Sequence, residues 1–186
     1  MLHTLVVYVE DKPGVLNRVA SLFRRRAFNI DSLTVGHTET PGVSRMTIVC
    51  DADPAAARRV EANIYKLVDV LRVDDITEQP AVERELAMIK VTATHETRTQ
   101  IIQLADVFRA RTVDVSNDSL IVEITGSGDK VERLLDVLKP YGVLEMARTG
   151  RVAMTRGAAA PAAAAYAARA AMDDEMPLDS GISCSV

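Results

Sequence analysis

Hydrophobic residues recur along this chain at two spacings, and their order predicts alternating strands and helices. Leu5, Val7 and Val9 alternate with Thr4, Tyr8 and Glu10, as in a strand. From Val15 to Phe23 the apolar positions follow helical spacing instead. The Pro13-Gly14 pair lies between the two patterns and predicts a turn from strand to helix.

The same reasoning extended to residue 77 predicts a βαββαβ unit. Pro41-Gly42 provides the turn between its two middle strands, and Asp53 and Pro54 have the residue types of an N-cap and a first helical position. The expected strands cover about residues 3–10, 29–38, 43–51 and 70–77, and the expected helices cover 14–26 and 54–67.

A second unit with the same order of elements is predicted over residues 83–156, after a polar joint at Glu78-Gln79-Pro80. Its middle strands, at about 111–116 and 119–126, turn at Asn117-Asp118, and its last strand covers about 143–154. We therefore expect an α+β fold with two ferredoxin-like βαββαβ units in tandem, spanning residues 2–77 and 83–156.

Residues 157–186 have a different composition, rich in alanine and then acidic. Alanine favours helix, but no apolar stripe is present to dock one, so we expect a flexible tail. A helix induced by a partner is the alternative.

Composition excludes several classes of function. No apolar run approaches the roughly 20 residues of a membrane span, and the first residues lack the pattern of an export signal. The net charge of −4 and the 4% aromatic content argue against a nucleic-acid surface. Cys50 and Cys184 lie too far apart to suggest a disulfide framework or a metal site. A cytoplasmic protein without membrane or nucleic-acid partners is expected.

The turn from Asp11 to Leu16 is the strongest candidate site. It precedes a helix N-terminus, where unpaired N–H groups and the helix dipole favour an anion. Such turns are usually only structural. The segment from Asn29 to Gly36 changes the balance, because we expect it to return as the neighbouring strand and to bring Asn29 near the same loop.

A free α-amino acid would match these groups. The N–H groups at Gly14, Val15 and Leu16 would bind its carboxylate, Asp11 and backbone carbonyls would bind its ammonium group, and Asn29 could bridge to either. Ile30, Leu33 and Val35 could surround an aliphatic side chain. Leu33 and Val35 are equally well explained as core residues, and Thr34 as a strand-surface group.

Enzymatic alternatives have little support. His3, His37 and His95 lie far from one another in sequence, and no nucleophile with a base is evident. An RNA-binding unit would need aromatic residues on its middle strands, and an acyl-phosphate hydrolase would need an arginine in the turn. A metabolite sensor is therefore preferred, and a weak hydrolase is the least favoured class.

The turn at Asp11–Leu16 resembles the ligand loop of ACT domains, which are regulatory modules that sense amino acids. Further stretches resemble the small, regulatory subunits of acetohydroxyacid synthase (acetolactate synthase), over about residues 2–157. These stretches are Phe28–Val35, Ser44–Val49, Tyr65–Val73, Glu83–Leu86, Ile89–Val91, Glu145–Gly150 and Arg156-Gly157.

The resemblance implies a non-catalytic subunit that activates a catalytic partner and makes it sensitive to a branched-chain amino acid, with valine the first candidate. Thiamine diphosphate, Mg²⁺ and FAD would belong to that partner, and this chain would hold no cofactor. The family pairs two ACT domains edge to edge with the effector at the interface, so Asp11, Gly14 and Asn29 of one chain would face residues near Leu33 to Gly36 of the other. At residue 11 the family often has Asn, whereas this chain has Asp. The implied effector-binding set is Asp11, Gly14, Val15, Leu16, Asn29, Ile30, Leu33, Thr34, Val35 and Gly36. A stand-alone sensor that acts on some other enzyme or regulator is the alternative.

Overall fold

Two antiparallel sheets, each with two helices packed on one face, make up residues 1–157, the part of the chain that this computed structural model describes. The predicted α+β class with two βαββαβ units is confirmed. The predicted tail beyond Gly157, with Cys184, lies outside the described residues.

In the first unit the element order is β1, α1, β2, β3, α2, β4. The bounds are β1 Leu2–Glu10, α1 Val15–Arg25, β2 Ile30–His37, β3 Val43–Asp51, α2 Pro54–Ile64 and β4 Val70–Asp75.

The second unit has the same order of elements, with two strands in place of the last predicted one. The bounds are β5 Ala81–Thr92, α3 Arg98–Val107, β6 Arg111–Val115, β7 Ser119–Gly126, α4 Gly128–Leu138, a 3-10 turn Lys139–Tyr141, β8 Val143–Arg148 and β9 Val152–Thr155.

Each unit has its own core, formed where alternating strand residues meet the apolar stripes of two helices. In the first unit the fully buried side chains include Leu5, Val7, Ile48, Phe23 and Ile64. The second core is built in the same way from Ile89, Val122, Ile124, Ile101 and Leu134. Burial of each large apolar side chain stabilises a core by about 1.5–3 kcal/mol.

The strand order of the first sheet is β2-β3-β1-β4, so β2 is an edge strand. Both β1 and β2 are antiparallel to β3, which makes them parallel to each other. The strand order of the second sheet is β6-β7-β5-β8, and β9 pairs with the first part of β5.

Two elements are shorter than their sequence patterns indicate. The hydrogen bonds after Ile64 tighten, with the N–H of Leu67 donating to the Ile64 carbonyl at 3.0 Å, so α2 ends before residue 67. The last predicted strand is divided into β8 and β9, because Gly150 between them has φ +82° and turns the chain.

Among the residues that the structure describes, none of the helices is both long and apolar enough to cross a bilayer.

Candidate ligand site

The joint between β1 and α1 is a tight turn held by backbone hydrogen bonds. The N–H of Asp11 donates to the Gly42 carbonyl at 2.8 Å, and that of Lys12 donates to the Glu10 carbonyl at 3.0 Å. Gly14 follows with φ +87°, a left-handed conformation that favours glycine. No atom lies within 4 Å of the position that a Cβ at Gly14 would take. The turn therefore leaves open space beside the start of α1.

The N-terminus of α1 is not closed by any side chain. Its N-cap residue is Gly14, and its first turn has no acidic residue. The Val15 side chain is buried in the core, whereas Leu16 is 43% exposed. The first backbone N–H groups of a helix lack intrahelical partners and lie at the positive end of the helix dipole. The Val15 N–H donates to the Lys12 carbonyl at 3.4 Å, and no side chain within residues 1–157 accepts from the other N–H groups of the first turn.

The carboxylate of Asp11 points toward the ends of β2 and β3. The Ser44 hydroxyl donates to Asp11 Oδ1 at 3.2 Å, and His37 Nδ1 lies 3.3 Å from Asp11 Oδ2. Neither neighbour was identified as a site residue from the sequence, because both come from strands that the topology alone brings to the turn. Asp11 is thus oriented by the sheet, with His37 as a second titratable group beside it.

The expectation that Asn29 lies near the same loop is wrong within one chain. Ile30 pairs with Cys50 and His37 pairs with Ser44, so β2 begins at the end of the sheet opposite the turn. The eight residues of β2 span about 20–25 Å. The physical reason is the parallel relation of β1 and β2, since a helix that returns the chain starts the next strand at the far end.

The remaining predicted residues lie along β2, and their exposure increases toward its C-terminal end. Ile30 and Leu33 are partly buried and pack against the first core. The Thr34 hydroxyl donates to the Arg151 carbonyl at 2.7 Å. Val35 and Gly36 are exposed at the edge. Only part of the predicted set therefore lies together in one chain.

A shallow cleft of about 180 Å³ borders the exposed half of β2. It is lined by Thr34, Val35, Gly36, His37, Arg45, Thr47 and Val152. Val152 belongs to β9, so the second unit contributes to the surroundings of the β2 edge.

Residues 148–153 make contacts that the sequence analysis did not predict. Burial would lower the pKa of Arg148, but hydrogen bonds and charge from Glu132 and Glu85 outweigh it and raise the pKa above its ordinary value. The following residues, Gly150 and Arg151, reach β2. The only sequence signal was the motif around Arg148 that resembled a known family.

No group of three or more His, Cys, Asp and Glu side chains is placed to hold a metal ion within residues 1–157.

Two family models together match most of this chain. The model described as small subunit of acetolactate synthase matches residues 84–157, and the AHAS small subunit-like ACT domain matches residues 5–72. The acetolactate synthase small subunit of Mycolicibacterium smegmatis is 51% identical over 83% of this chain and 92% of its own length. The chain belongs to the acetolactate synthase small-subunit family.

Other members of the small-subunit family agree with this assignment. A probable acetolactate synthase small subunit of Archaeoglobus fulgidus is 54% identical, over 84% of this chain and 98% of its own length. The crystal structure of the small subunit from Thermotoga maritima is 44% identical, covers 86% of this chain and 99% of its own, and superposes with a TM-score of 0.78. The similarity therefore extends through both βαββαβ units.

Proposed function

We propose that this chain is a non-catalytic regulatory subunit of acetohydroxyacid synthase. It activates the catalytic subunit and confers feedback inhibition by a branched-chain amino acid, with valine the first candidate. The catalytic partner holds thiamine diphosphate, Mg²⁺ and FAD, and this chain holds no cofactor. The pathway is the biosynthesis of valine, leucine and isoleucine.

The observation that carries the proposal is the open joint at Gly14 beside an edge strand. The helix N-terminus there has no side-chain cap, and the space beside Gly14 is empty. Family membership supports the regulatory role, because the matching relatives are named as small subunits of acetolactate synthase.

A homodimer through β2 would complete the site. A two-fold axis that pairs two copies of an edge strand makes the strands antiparallel. The first residues of β2 in one copy then lie beside the last residues of β2 in the other. In that arrangement Asn29 of one copy approaches the joint formed by Asp11 and Gly14 of its partner, although the two are far apart within a chain.

The chemistry of an aliphatic amino acid suits this composite site. The N–H groups near Val15 and Leu16 bind the carboxylate, and Asp11 with Asn29 of the second copy binds the ammonium group. The neighbourhood of Leu33, Thr34, Val35 and Gly36 accommodates the side chain, with Ile30 supporting Leu33 from the core side.

The magnitudes predict weak to moderate affinity. The helix dipole contributes about 0.3–1 kcal/mol, burial of a branched side chain about 1.5–3 kcal/mol, and each hydrogen bond about 0.5–1.5 kcal/mol. Such sums correspond to dissociation constants in the micromolar-to-millimolar range, which suits a sensor of metabolite concentration.

The test is reconstitution with an acetohydroxyacid synthase catalytic subunit. We expect co-elution, a rise in the rate of acetolactate formation, and inhibition of that added activity by valine. Co-elution and activation without any response to valine, leucine or isoleucine would remove the effector part of the proposal. Absence of both co-elution and activation would reject the regulatory subunit and favour a stand-alone amino-acid sensor.

A further inference from the structure

The segment from Thr149 to Ala153, called here the linking segment, contains the connection between β8 and β9 and the first two residues of β9, and it crosses the outer face of the first sheet. Ala153 is fully buried and packs against Val6 and Ile76 of the first unit. Its carbonyl accepts a hydrogen bond from the guanidinium of Arg45 on β3. The linking segment thus belongs to the second sheet by pairing and to the first sheet by packing.

The closest contact of the linking segment is with β2. The N–H of Arg151 donates to the Ser32 hydroxyl at 2.8 Å, and the Thr34 hydroxyl donates to the Arg151 carbonyl at 2.7 Å. The N–H and the C=O of Arg151 are therefore each hydrogen-bonded to a hydroxyl of the edge strand. A Cβ at Gly150 would stand 2.5 Å from Ser32 Oγ, so this close approach requires glycine.

The side chain of Arg151 extends the contact to other strands in both units. Its Nη1 donates to the Thr4 hydroxyl on β1 at 3.2 Å. The same guanidinium lies 3.3 Å from Glu83 and 3.7 Å from Glu85 on β5. With only 20% of its side chain exposed, Arg151 joins β1, β2 and β5 through a single residue.

The hydrogen bonds to Arg151 are made by β2, the strand that also carries part of the proposed effector site. Side chains of a strand alternate between its two faces, so Ser32 and Thr34 lie on one face and Leu33 on the other. A ligand bound at the edge of β2 on the Leu33 face therefore lies across one strand from the two hydroxyls that bond Arg151.

We propose that Arg151 is a positioning residue that couples occupancy of the effector site on β2 to the second unit. This inference rests on the proposed function above. Arg151 contacts no residue of the predicted effector set through its side chain, and its backbone contacts only the hydroxyl of Thr34 in that set. Arg151 influences the conformation of the surface that contacts the catalytic partner. The amino acid itself is bound by the joint at Gly14 and by the edge of β2.

Arg151→Ala tests the coupling in the full chain reconstituted with the catalytic subunit. Glu85 keeps its 2.6 Å ion pair with Arg148 in this variant, so no buried carboxylate is left without a cation. We expect unchanged valine affinity by calorimetry and retained activation. Inhibition at saturating valine is expected to weaken by about fivefold or more, the size of a typical allosteric coupling.

Ser32→Ala is the second variant, because it removes the acceptor for the Arg151 N–H without altering charge. It is expected to weaken inhibition in the same direction and by less. Arg133→Ala is the matched control, since Arg133 is an exposed arginine on α4 and should behave as wild type.

Hydrogen exchange gives a readout that a purely structural role would not change. In the wild-type chain, valine is expected to slow amide exchange in β9, and in Arg151→Ala this response should be lost while protection near Gly14 persists. Wild-type inhibition in both Arg151→Ala and Ser32→Ala would overturn the inference and leave the proposed function intact. Loss of valine binding in Arg151→Ala would also overturn it, whereas a wild-type chain that binds no valine would overturn both proposals.

Discussion

The first helix of each βαββαβ unit begins in a different way. At the start of α1, Gly14 offers no side chain and the space beside it is empty. At the start of α3, Thr94 and Thr97 bond each other reciprocally, with the Thr94 N–H donating to Thr97 Oγ1 at 3.0 Å and the Thr97 N–H donating to Thr94 Oγ1 at 3.3 Å. The Arg98 guanidinium also donates to the carbonyls of Ser116 and Asn117 beside it.

This difference separates a joint that is available to a ligand from one that is satisfied by its own chain. Both helices have the same place in the same topology, so the fold alone does not decide which joint binds an anion. The residues of the joint decide it: before α3 the Thr94 hydroxyl accepts from the Thr97 N–H, whereas at α1 no side chain of the described residues accepts from the N–H groups of the first turn. The effector site proposed above accordingly lies in the first unit.

The largest expected effect comes from placing a carboxylate at the open joint. In Gly14→Asp, the new negative charge occupies the position proposed for the carboxylate of the effector. Like-charge contact of this kind should raise the valine concentration for half-inhibition by at least about tenfold. Activation of the catalytic subunit should be largely retained, and assays of acetolactate formation with a valine titration measure both quantities.

His95→Asp places the same carboxylate at the corresponding joint of the second unit, where His95 is exposed between α3 and its preceding strand. Its valine response should equal that of the wild type. Equal loss of valine response in both variants would show that the two joints do not differ as described.

The sequence indicated the open joint but not the contact between the two units. Pro13-Gly14 and the alternation of β1 are local signals, so the turn and its helix could be predicted. Asn29 was misplaced because the direction of β2 follows from the crossover and not from local pattern. The approach of Arg151 to Ser32 spans 119 residues of sequence, and no periodicity reports such a contact.

An intermediate effect on stability is expected from Gly150→Ala, which strains the linking segment. A non-glycine residue at positive φ costs about 1–2 kcal/mol. The new Cβ also displaces the Ser32 hydroxyl from Arg151, so the total should be about 2 kcal/mol and Tm should fall by about 4–8 °C. Differential scanning calorimetry provides the measurement.

Gly36→Ala is the control for this change, because Gly36 does not have a positive φ and has open space around it. Its Tm should match that of the wild type. A Tm for Gly150→Ala within error of this control would mean that the linking segment tolerates displacement from β2.

The smallest expected change in Tm comes from the N-cap residues of the second helix in each unit. Asp53 caps α2 by accepting from the Ala56 N–H at 2.7 Å, whereas Ser127 at the start of α4 makes no such bond. That hydrogen bond holds the pKa of Asp53 below its ordinary value. Asp53→Ala should therefore lower Tm slightly at neutral pH, and Ser127→Ala should lower it less.

The pH dependence of the Tm difference between the wild type and Asp53→Ala tests whether the charged form of the Asp53 cap causes the stabilisation. A carboxyl group with a depressed pKa stabilises the folded state above its unfolded pKa, about 3.9 for Asp. This contribution disappears as the pH falls through the folded pKa. The Tm difference between the wild type and Asp53→Ala should shrink in acid, and a difference that stays constant down to acid pH would contradict the role of the charged cap.

The most direct test of the central claim uses dimers that carry two different substitutions. Gly14→Asp and Asn29→Ala chains, each with its own affinity tag, are co-expressed, and mixed dimers are purified through both tags. If the effector site joins Gly14 of one chain to Asn29 of the other, one of the two sites in each mixed dimer is intact. Calorimetry should then give about one valine per mixed dimer, against about two for the wild type and none for either variant alone. Mixed dimers that bind no valine would contradict a site shared between two chains.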